Sequence, residues 1–303
     1  MGKGGRAKRP PFFSMVKKRA DQWSPLSYHG GKSKMAHKII PLLYPHTVYV
    51  EPFAGGLNVL FNKGLPITTS LVQYREVIND INGDLVNFYR TLRNDGKELT
   101  GLLELTPYSR EEHERAWTIL RDPKATNLER AWAFFIRCNW SFAQHPDKSW
   151  SISKVGPNLA AINTNRVIKL PAIVERFRNV NVENDDAVSV ILRWDSPHTL
   201  FYCDPPYPGY DQGHYAGYTI KDFDALCKVL NNCQGSFVLS NYAQELADKY
   251  GWERIEFNAY CPGGPKGRTK ERTKRTEVIW RRPARKKMRK DVKDILKKQV
   301  WRK

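Results

Sequence analysis

Short apolar segments of strand length alternate with segments of helical periodicity along most of this 303-residue chain. Pro, Gly or Asp residues bound the apolar segments, and between them apolar residues recur at helical spacing, as in Leu85, Phe88 and Leu92. Such alternation predicts an α/β fold with a mostly parallel sheet, because the crossovers between parallel strands are usually helices that cover both sheet faces. Strands are predicted at 47–51, 77–80, 180–183, 199–203, 236–240, 253–260 and 276–280, and helices near 57, after 83, at 186–193 and at 220–232.

The middle of the chain has a different character. Four helices are predicted in succession, at about 97–105, 109–120, 126–138 and 164–177, with an irregular aromatic and polar stretch at 139–163. We interpret this region as a smaller, mainly helical insert in the sheet domain. The predicted organisation is a flexible basic arm at 1–22, a sheet domain at 23–94 and 179–280, the insert at 95–178 and a basic C-terminal tail at 281–303.

The net charge of +19 is concentrated in three stretches. Residues 1–19 contain seven Lys and Arg and no acid, residues 266–275 contain six against one, and residues 281–303 contain twelve against two. The rest of the chain is therefore slightly acidic. Basic tails and a basic loop on a nearly neutral body favour contact with nucleic-acid phosphates. A solubilising role for the tails is the alternative.

Cysteine usage and hydropathy exclude several classes of protein. The five cysteines are an odd number without a CxxC pair, which supports neither a disulfide framework nor a zinc site, and we predict no metal. No segment reaches the ~18 consecutive apolar residues of a membrane helix, so we predict no membrane association. We expect a cytoplasmic protein.

The segment with the most chemical content is the strand that ends in Asp204-Pro205-Pro206-Tyr207. The carboxyl ends of parallel strands are where open α/β sheets bind ligands, and two prolines stiffen this turn. A carboxylate and a backbone carbonyl there can each accept a hydrogen from an aromatic amino group, which frees its nitrogen lone pair for attack on a sulfonium methyl. Tyr207 offers a face on which an extruded base can stack.

Two earlier segments are candidates for a nucleoside-binding site. Glu51-Pro-Phe53-Ala54-Gly55-Gly56 follows the first strand, where paired glycines let the backbone approach a ligand closely. Asp80 ends the second strand and is placed to accept hydrogen bonds from ribose hydroxyls. Upstream, the turn at 25–32 is expected to bring Tyr28 and Lys32 against the same ligand.

Taken in order, the motifs PLSYHGGK (25–32), EPFAGG (51–56), VINDIN (77–82), DPPY (204–207) and KRTEVIW (274–280) resemble the Dam-type adenine DNA methyltransferases of the α arrangement. The resemblance implies a Rossmann-like methyltransferase sheet with helices on both faces, and a target-recognition role for the insert. It also implies S-adenosylmethionine as cofactor, double-stranded DNA as substrate, and methyl transfer to the exocyclic amino group of a flipped adenine.

The same resemblance implies roles for individual residues. The catalytic corner would be Asp204 to Tyr207. The cofactor site would be formed by Tyr28, Lys32, Glu51, Phe53, Ala54, Gly55, Gly56, Asp80, Asp186 and Asp204. DNA contacts are expected from Asn241, which lies in a segment bordering the base pocket, and from Lys266, Arg268, Lys270, Arg272, Lys274 and Arg275.

Three alternatives remain open at this point. The same corner chemistry suits the exocyclic amine of cytosine, or an RNA substrate, and a catalytically silent DNA-binding relative would retain the same fold. The sequence gives neither the DNA recognition site nor the presence of a companion restriction enzyme. We expect a monomer or a weak dimer.

Overall fold

The computed structural model describes residues 24–28, 30–64, 73–142, 145–208, 217–260 and 274–285, with the backbone alone at 258–260 and 274–275. Seven strands form one mixed sheet in the order β3-β2-β1-β4-β5-β7-β6. They are β1 (Val48–Glu51), β2 (Arg75–Asn79), β3 (Val180–Glu183), β4 (Thr199–Cys203), β5 (Ser236–Tyr242), β6 (Glu253–Tyr260) and β7 (Lys274–Arg282).

Six of the seven described strands run in the same direction, and β7 is reversed. β1 lies between β2 and β4 and pairs with both in parallel register, while β7 is antiparallel to β5 and to β6. β6 and β7 follow each other without an intervening helix among the described residues, and strands joined in this way pair antiparallel. The sheet confirms the predicted α/β fold, and its antiparallel edge is a detail that the sequence did not predict.

Most of the predicted helices are present within one or two residues. The helices are α1 (Ala36–Ile39), α2 (Asn58–Asn62), α3 (Gly83–Asn94), α4 (Gly96–Leu105), α5 (Arg110–Arg121), α6 (Asn127–Trp140), α7 (Leu159–Val167), α8 (Leu170–Phe177), α9 (Ala187–Trp194), α10 (Ile220–Asn232) and α11 (Glu245–Asp248). The short helices α1 and α11, and a 3₁₀ turn at Ile40–Leu42, were not predicted.

The prediction of a single helix at 164–177 was wrong. α7 ends at Val167, and α8 begins at Leu170 with Pro171 in its first turn. Proline has no backbone N–H and clashes with the preceding turn of a helix, so it is tolerated at a helix start and not in an interior. The proline therefore separates two short helices that share one apolar periodicity.

The sheet buries apolar side chains on both faces. Tyr49 and Tyr202 belong to the hydrophobic cluster on one face, whereas their strand neighbours Val50 and Phe201 belong to the cluster on the other. This alternation follows from the strand period of two. It explains why these strands appear in the sequence as continuous apolar runs.

The helices at 96–177 are continuous with one of these clusters. Phe135 and Trp140 of α6 are fully buried in the same cluster as Ile78 of β2, and α6 packs along α3. The predicted insert therefore shares a hydrophobic core with the sheet. Its role as a separate target-recognition unit stays a prediction, as do the domain boundaries.

Within the described ranges, every helix is too short or too polar to cross a lipid bilayer.

Candidate active site

The carboxyl ends of β1, β2 and β4 meet at one edge of the sheet. Val50 pairs with Phe201 of β4, and Glu51 pairs with Ile78 of β2. The glycine turn that follows β1 is therefore flanked by Asp80 on one side and by Asp204 on the other. Neighbouring parallel strands bring together three segments that are far apart in sequence.

The turn after β1 is held by backbone hydrogen bonds to the end of β2. Ala54 N donates to the carbonyl of Asn79 at 2.8 Å, and Gly55 N donates to Asp80 Oδ2 at 3.1 Å. Gly55 has φ +46°, in the left-handed region that favours glycine. The hydroxyl of Tyr89 donates to the carbonyl of Gly55 at 2.9 Å. Phe53, at the start of the turn, packs edge-on against the ring of Tyr218.

Asp80 is a buried carboxylate surrounded by backbone donors. Its Oδ1 accepts from Asn82 N at 3.0 Å, in addition to the bond from Gly55. Burial raises the pKa of Asp80 to about 6, and the backbone N–H groups at 54, 55, 81 and 82 oppose that rise. A carboxylate oxygen has two acceptor positions, so Asp80 keeps capacity for further donors.

The loop before α1 crosses the same edge. Gly31 N donates to the carbonyl of Tyr28 at 3.0 Å, and a Cβ at Gly31 would lie 2.9 Å from that oxygen, so the tight turn requires glycine. The Tyr28 hydroxyl accepts from Asn82 Nδ2 at 3.4 Å. This turn directs the next residue, Lys32, towards β4.

Lys32 is 8% exposed and forms ion pairs with two carboxylates. Its Nζ lies 2.8 Å from Asp204 Oδ1 and 3.3 Å from Glu277 Oε1, and it sits 4.8 Å from the centroid of the Tyr207 ring. Burial alone would lower the pKa of Lys32, but the charges of Asp204 and Glu277 outweigh burial and raise it. Lys32 is therefore a fixed cation at neutral pH.

Asp204 lies directly after β4, and its Oδ1 contacts both the ammonium group of Lys32 and the hydroxyl of Tyr207. The Tyr207 hydroxyl is 3.2 Å from Asp204 Oδ1. Burial raises the pKa of Asp204 to about 6. The charge of Lys32 opposes the rise, whereas the charge of Glu277 adds to it. Asp204 is thus ionised at neutral pH but protonates more readily than an exposed aspartate.

Tyr207 is tied to the end of the sheet through its hydroxyl. The hydroxyl donates to Glu277 Oε1 at 2.5 Å and lies 3.4 Å from Ser240 Oγ. Its ring meets the ring of Tyr242 edge-on, with the centroids 4.6 Å apart. The orientation of Tyr207 is therefore set by β5 and β7.

Glu277 was not among the predicted site residues. The motif at 274–280 was recognised, but it was assigned to a DNA-contacting loop and strand. Glu277 stands opposite Tyr242 in the β5–β7 ladder, which places its carboxylate beside Lys32 and Tyr207. The available signal was an acid directly before the apolar run Val278 to Trp280, since a buried acid requires charged or hydrogen-bonding partners.

Below the edge lies a second group of buried charges. The hydroxyl of Tyr49 donates to Glu51 Oε1 at 2.6 Å, and burial raises the pKa of Glu51 to about 8 despite that hydrogen bond. Lys63 Nζ lies 4.2 Å from the centroid of the Tyr49 ring and is ion-paired with Glu76. Glu51 thus lies in the interior under the glycine turn.

Two predicted site residues, Asp186 and Asn241, lie away from the Asp204 corner in this structure. Asp186 is exposed and caps α9, where its Oδ2 accepts from Ser189 N at 3.0 Å. Asn241 is fully buried. Because side chains alternate along a strand, Asn241 lies on the same sheet face as its partner Val278, whereas Ser240 and Glu277 lie on the other face. Its Nδ2 has no hydrogen-bond partner among the described residues. The predicted contacts of Asp186 with the cofactor and of Asn241 with DNA stay predictions.

The remaining predicted DNA contacts fall on the first residues of β7 and on residues outside the described ranges. Lys274 and Arg275 lie at the start of β7, described as backbone only. The arm at 1–22, the chain from 286 onward and four residues of the basic loop lie outside the described residues: Lys266, Arg268, Lys270 and Arg272.

Across the described part of the chain, His, Cys, Asp and Glu side chains form no group of three or more suited to a metal ion.

A model of the D12 class N6 adenine-specific DNA methyltransferases matches residues 28–256, which span the glycine turn, Asp80 and the Asp204 corner. The chain belongs to this family. The match confirms the resemblance drawn from the motifs, and the sheet with helices on both faces is the Rossmann-like fold expected of a D12 class enzyme.

Two curated proteins are similar to this D12 class chain. The Type II methyltransferase M1.LlaDCHI of Lactococcus lactis subsp. cremoris is 24% identical over 292 residues, covering 82% of this chain and 92% of that protein. The DNA N-6-adenine-methyltransferase of Escherichia phage P1 is 36% identical over 74 residues, covering 24% of this chain and 9% of that protein. The first similarity extends over nearly the whole relative, and the second is confined to a short segment.

Proposed function

We propose that this D12 class protein transfers a methyl group from S-adenosylmethionine to the exocyclic amino group of adenine in double-stranded DNA, at a specific sequence and after flipping the base. The observation that carries the proposal is the position of Asp204, with Lys32 and Tyr207 against it, beside the glycine turn after β1. A cytoplasmic location belongs to the same proposal.

The residues at the sheet edge fit a nucleoside-containing cofactor. Asp80 offers carboxylate oxygens with spare acceptor capacity, and the backbone of the turn at 54–56 lies next to it, with Gly55 N donating to Asp80 Oδ2. A Cβ at Gly56 would lie 3.0 Å from Asn58 Nδ2, so this cradle has no room for a side chain. We assign Glu51 to Gly56, Asp80, Tyr28 and Asp186 to the cofactor site. When bound, S-adenosylmethionine supplies an electrophilic methyl group on a sulfonium.

Asp204 and the Pro205 carbonyl act on the amino group of the target base. Each accepts one amino hydrogen, which draws the nitrogen towards a tetrahedral geometry and makes its lone pair available for in-line attack. The nitrogen gains the methyl group and loses one proton, and the carboxylate of Asp204 is placed to accept it. Tyr207 presents its ring to the base, with its hydroxyl held by Glu277. Positioning and charge stabilisation carry the reaction without a covalent enzyme intermediate.

Base flipping costs a few kcal/mol of lost stacking and pairing. In our proposal two interactions offset that cost. The base stacks on Tyr207, and DNA phosphates attract the basic stretches at 1–19, 266–275 and 281–303. The 95–178 insert is assigned to target recognition.

The test is to express the protein in a host lacking adenine methylation and to analyse the DNA. Digestion to nucleosides should yield N6-methyl-2′-deoxyadenosine, and sequencing with modification detection should place the methylated adenine at one short motif. Methylated cytosine amine, or modified RNA in place of DNA, would overturn the assigned substrate. Failure of the purified protein to bind S-adenosylmethionine in calorimetry would favour a catalytically silent DNA-binding protein.

A further inference from the structure

Glu277 gathers three partners from three segments of the chain on one carboxylate oxygen. Its Oε1 accepts from the Tyr207 hydroxyl at 2.5 Å and from Ser240 Oγ at 2.7 Å, and it lies 3.3 Å from Lys32 Nζ. The residue is 5% exposed. A buried carboxylate is costly unless it is paired and hydrogen-bonded, and each of these partners contributes to that pairing.

The antiparallel edge of the sheet delivers Glu277 to this position. β7 runs against β5, so Glu277 stands beside the carboxyl end of β5, at the level of Tyr242. The parallel strands deliver Asp204 to the same edge from the other direction. The two carboxylates face one ammonium group between them.

The charges at this corner are unequal in number. Lys32 carries one positive charge, whereas Asp204 and Glu277 together carry two negative charges. Lys32 Nζ is within ion-pair distance of both carboxylates. Within Asp204, it is Oδ1 that contacts both Lys32 Nζ and the Tyr207 hydroxyl. If Lys32 were paired with Asp204 alone, the carboxylate would be a weaker acceptor for an incoming amino group. A second carboxylate gives the ammonium group another partner when the base arrives.

We propose that Glu277 is a positioning residue for methyl transfer, which shares Lys32 with Asp204 and fixes the Tyr207 ring so that Asp204 remains free to accept the target amino group. The inference deepens the proposed function and rests on it. Glu277 acts through Lys32 and Tyr207 and does not itself contact the reacting atoms.

The decisive variant is Glu277→Gln, which keeps an oxygen acceptor of the same size and removes the negative charge. We expect kcat to fall about 10- to 100-fold, with the KM for S-adenosylmethionine changed much less, because the variant leaves the predicted cofactor turn intact. The pH–rate profile should change as well. Its acid limb should move to lower pH, because Asp204 loses a neighbouring negative charge and Lys32 then pairs with Asp204 alone.

A shift of the acid limb in Glu277→Gln distinguishes a positioning role of Glu277 from a general loss of structure, because a general loss of structure would lower the rate without moving the acid limb. The charged or titratable groups around Asp204 are Lys32 in contact with it, Glu277 on the same ammonium group, Tyr207 on its own turn, and the buried Glu51 and Tyr202 beneath it. Of these, the variant changes only Glu277.

Two matched variants serve as controls. Glu277→Asp keeps the charge and shortens the side chain by one methylene, so the rate should fall while the acid limb stays in place. Glu256→Gln removes an exposed carboxylate from neighbouring β6, where Glu256 pairs with Val278 in the ladder, and both rate and limb should match the wild type.

The wild-type assay is read first. If the unmodified protein places no methyl group on adenine, the proposed function fails, and with it the inference. If the wild type is active and Glu277→Gln keeps its rate and pH profile, only the role of Glu277 is overturned. If Glu277→Gln does not fold, the role of Glu277 is tested with Ser240→Ala, which removes one of the hydrogen bonds to its carboxylate. We expect that variant to lose rate a few-fold at an unmoved limb, and a wild-type rate would overturn the inference.

Discussion

Lys32 and Asp204 form a buried ion pair, with Nζ 2.8 Å from Oδ1, that joins the loop before α1 to the corner after β4. The two residues are 172 positions apart in sequence, yet the charge of Asp204 raises the pKa of Lys32 and the charge of Lys32 lowers the pKa of Asp204, each against the effect of burial.

Replacing Asp204 by Asn should abolish methyl transfer while leaving the fold in place. The amide preserves size but offers one acceptor oxygen and cannot take up the proton that leaves the amino group. We expect kcat to fall at least about 1,000-fold, in the range seen when a central electrostatic group is removed. Single-turnover transfer to a DNA duplex is the measurement, and an unchanged circular dichroism spectrum is the control. A variant within tenfold of wild type would contradict the mechanism.

The rate of the wild-type enzyme should decline as pH falls through about 6, because Asp204 must be ionised and its pKa is raised to about 6. Replacing Lys32 by Met removes the positive charge that opposes this rise, so the pKa of Asp204 should increase further and the acid limb should move to higher pH. The direction is opposite to that expected for Glu277→Gln. Profiles of kcat against pH for wild type, Lys32→Met and Lys32→Arg check it.

Lys32→Met should also destabilise the fold by about 3–5 kcal/mol, since removing one partner leaves buried carboxylates without their cation. Lys32→Arg retains the charge and serves as the control in urea unfolding. An acid limb that stays in place in Lys32→Met would show that the ion pair does not govern the ionisation of Asp204.

Replacing Glu51 by Gln should flatten the pH dependence of stability. The pKa of Glu51 is raised from 4.5 to about 8 in the folded protein, so folding takes up a proton between these values. The associated stability is fully present below pH 4.5 and is lost as pH rises through about 8. The wild-type Tm should therefore fall more steeply between pH 5 and 8 than the Tm of Glu51→Gln.

Calorimetric scans across that pH range compare the two proteins. The exposed Glu104→Gln variant is the matched control and should retain the wild-type slope. Parallel curves for Glu51→Gln and the wild type would mean that Glu51 is ionised in the folded state.

Neutralising the basic termini should weaken the salt dependence of DNA binding. β7 extends to Arg282, and Arg282 donates to the carbonyls of Leu230 and Cys233, so the change should spare residues up to 285. Replacing Lys and Arg by Gln in 1–19 and 286–303 keeps the chain length. Each lost phosphate contact should reduce the slope of log K against log salt by about 0.9. Fluorescence anisotropy at several salt concentrations measures it, and an unchanged slope would place the termini away from DNA.

The sequence predicted the elements that carry the site with little error. β4 and α10 begin and end at the predicted residues, because β4 is a continuous apolar run that ends before Asp204-Pro205 and α10 carries apolar residues at helical spacing after its N-cap Thr219. Local signals of this kind need no knowledge of distant contacts. The prediction of one helix at 164–177 was wrong because it followed the apolar spacing alone and did not take Pro171 into account.

The corner motif and the glycine turn were also recognisable from sequence alone, because a strand end followed by Asp-Pro-Pro-Tyr or by paired glycines is a local pattern. Their proximity followed from the rule that parallel strands present their carboxyl ends at one edge. The chain by itself therefore determined the fold class, the family and the position of Asp204. The pairing of Lys32 with both Asp204 and Glu277, and the burial of Asn241, were decided only by the tertiary structure. These features depend on which strands lie side by side and on the reversed direction of β7, and burial and charge act through space between residues that no local pattern connects.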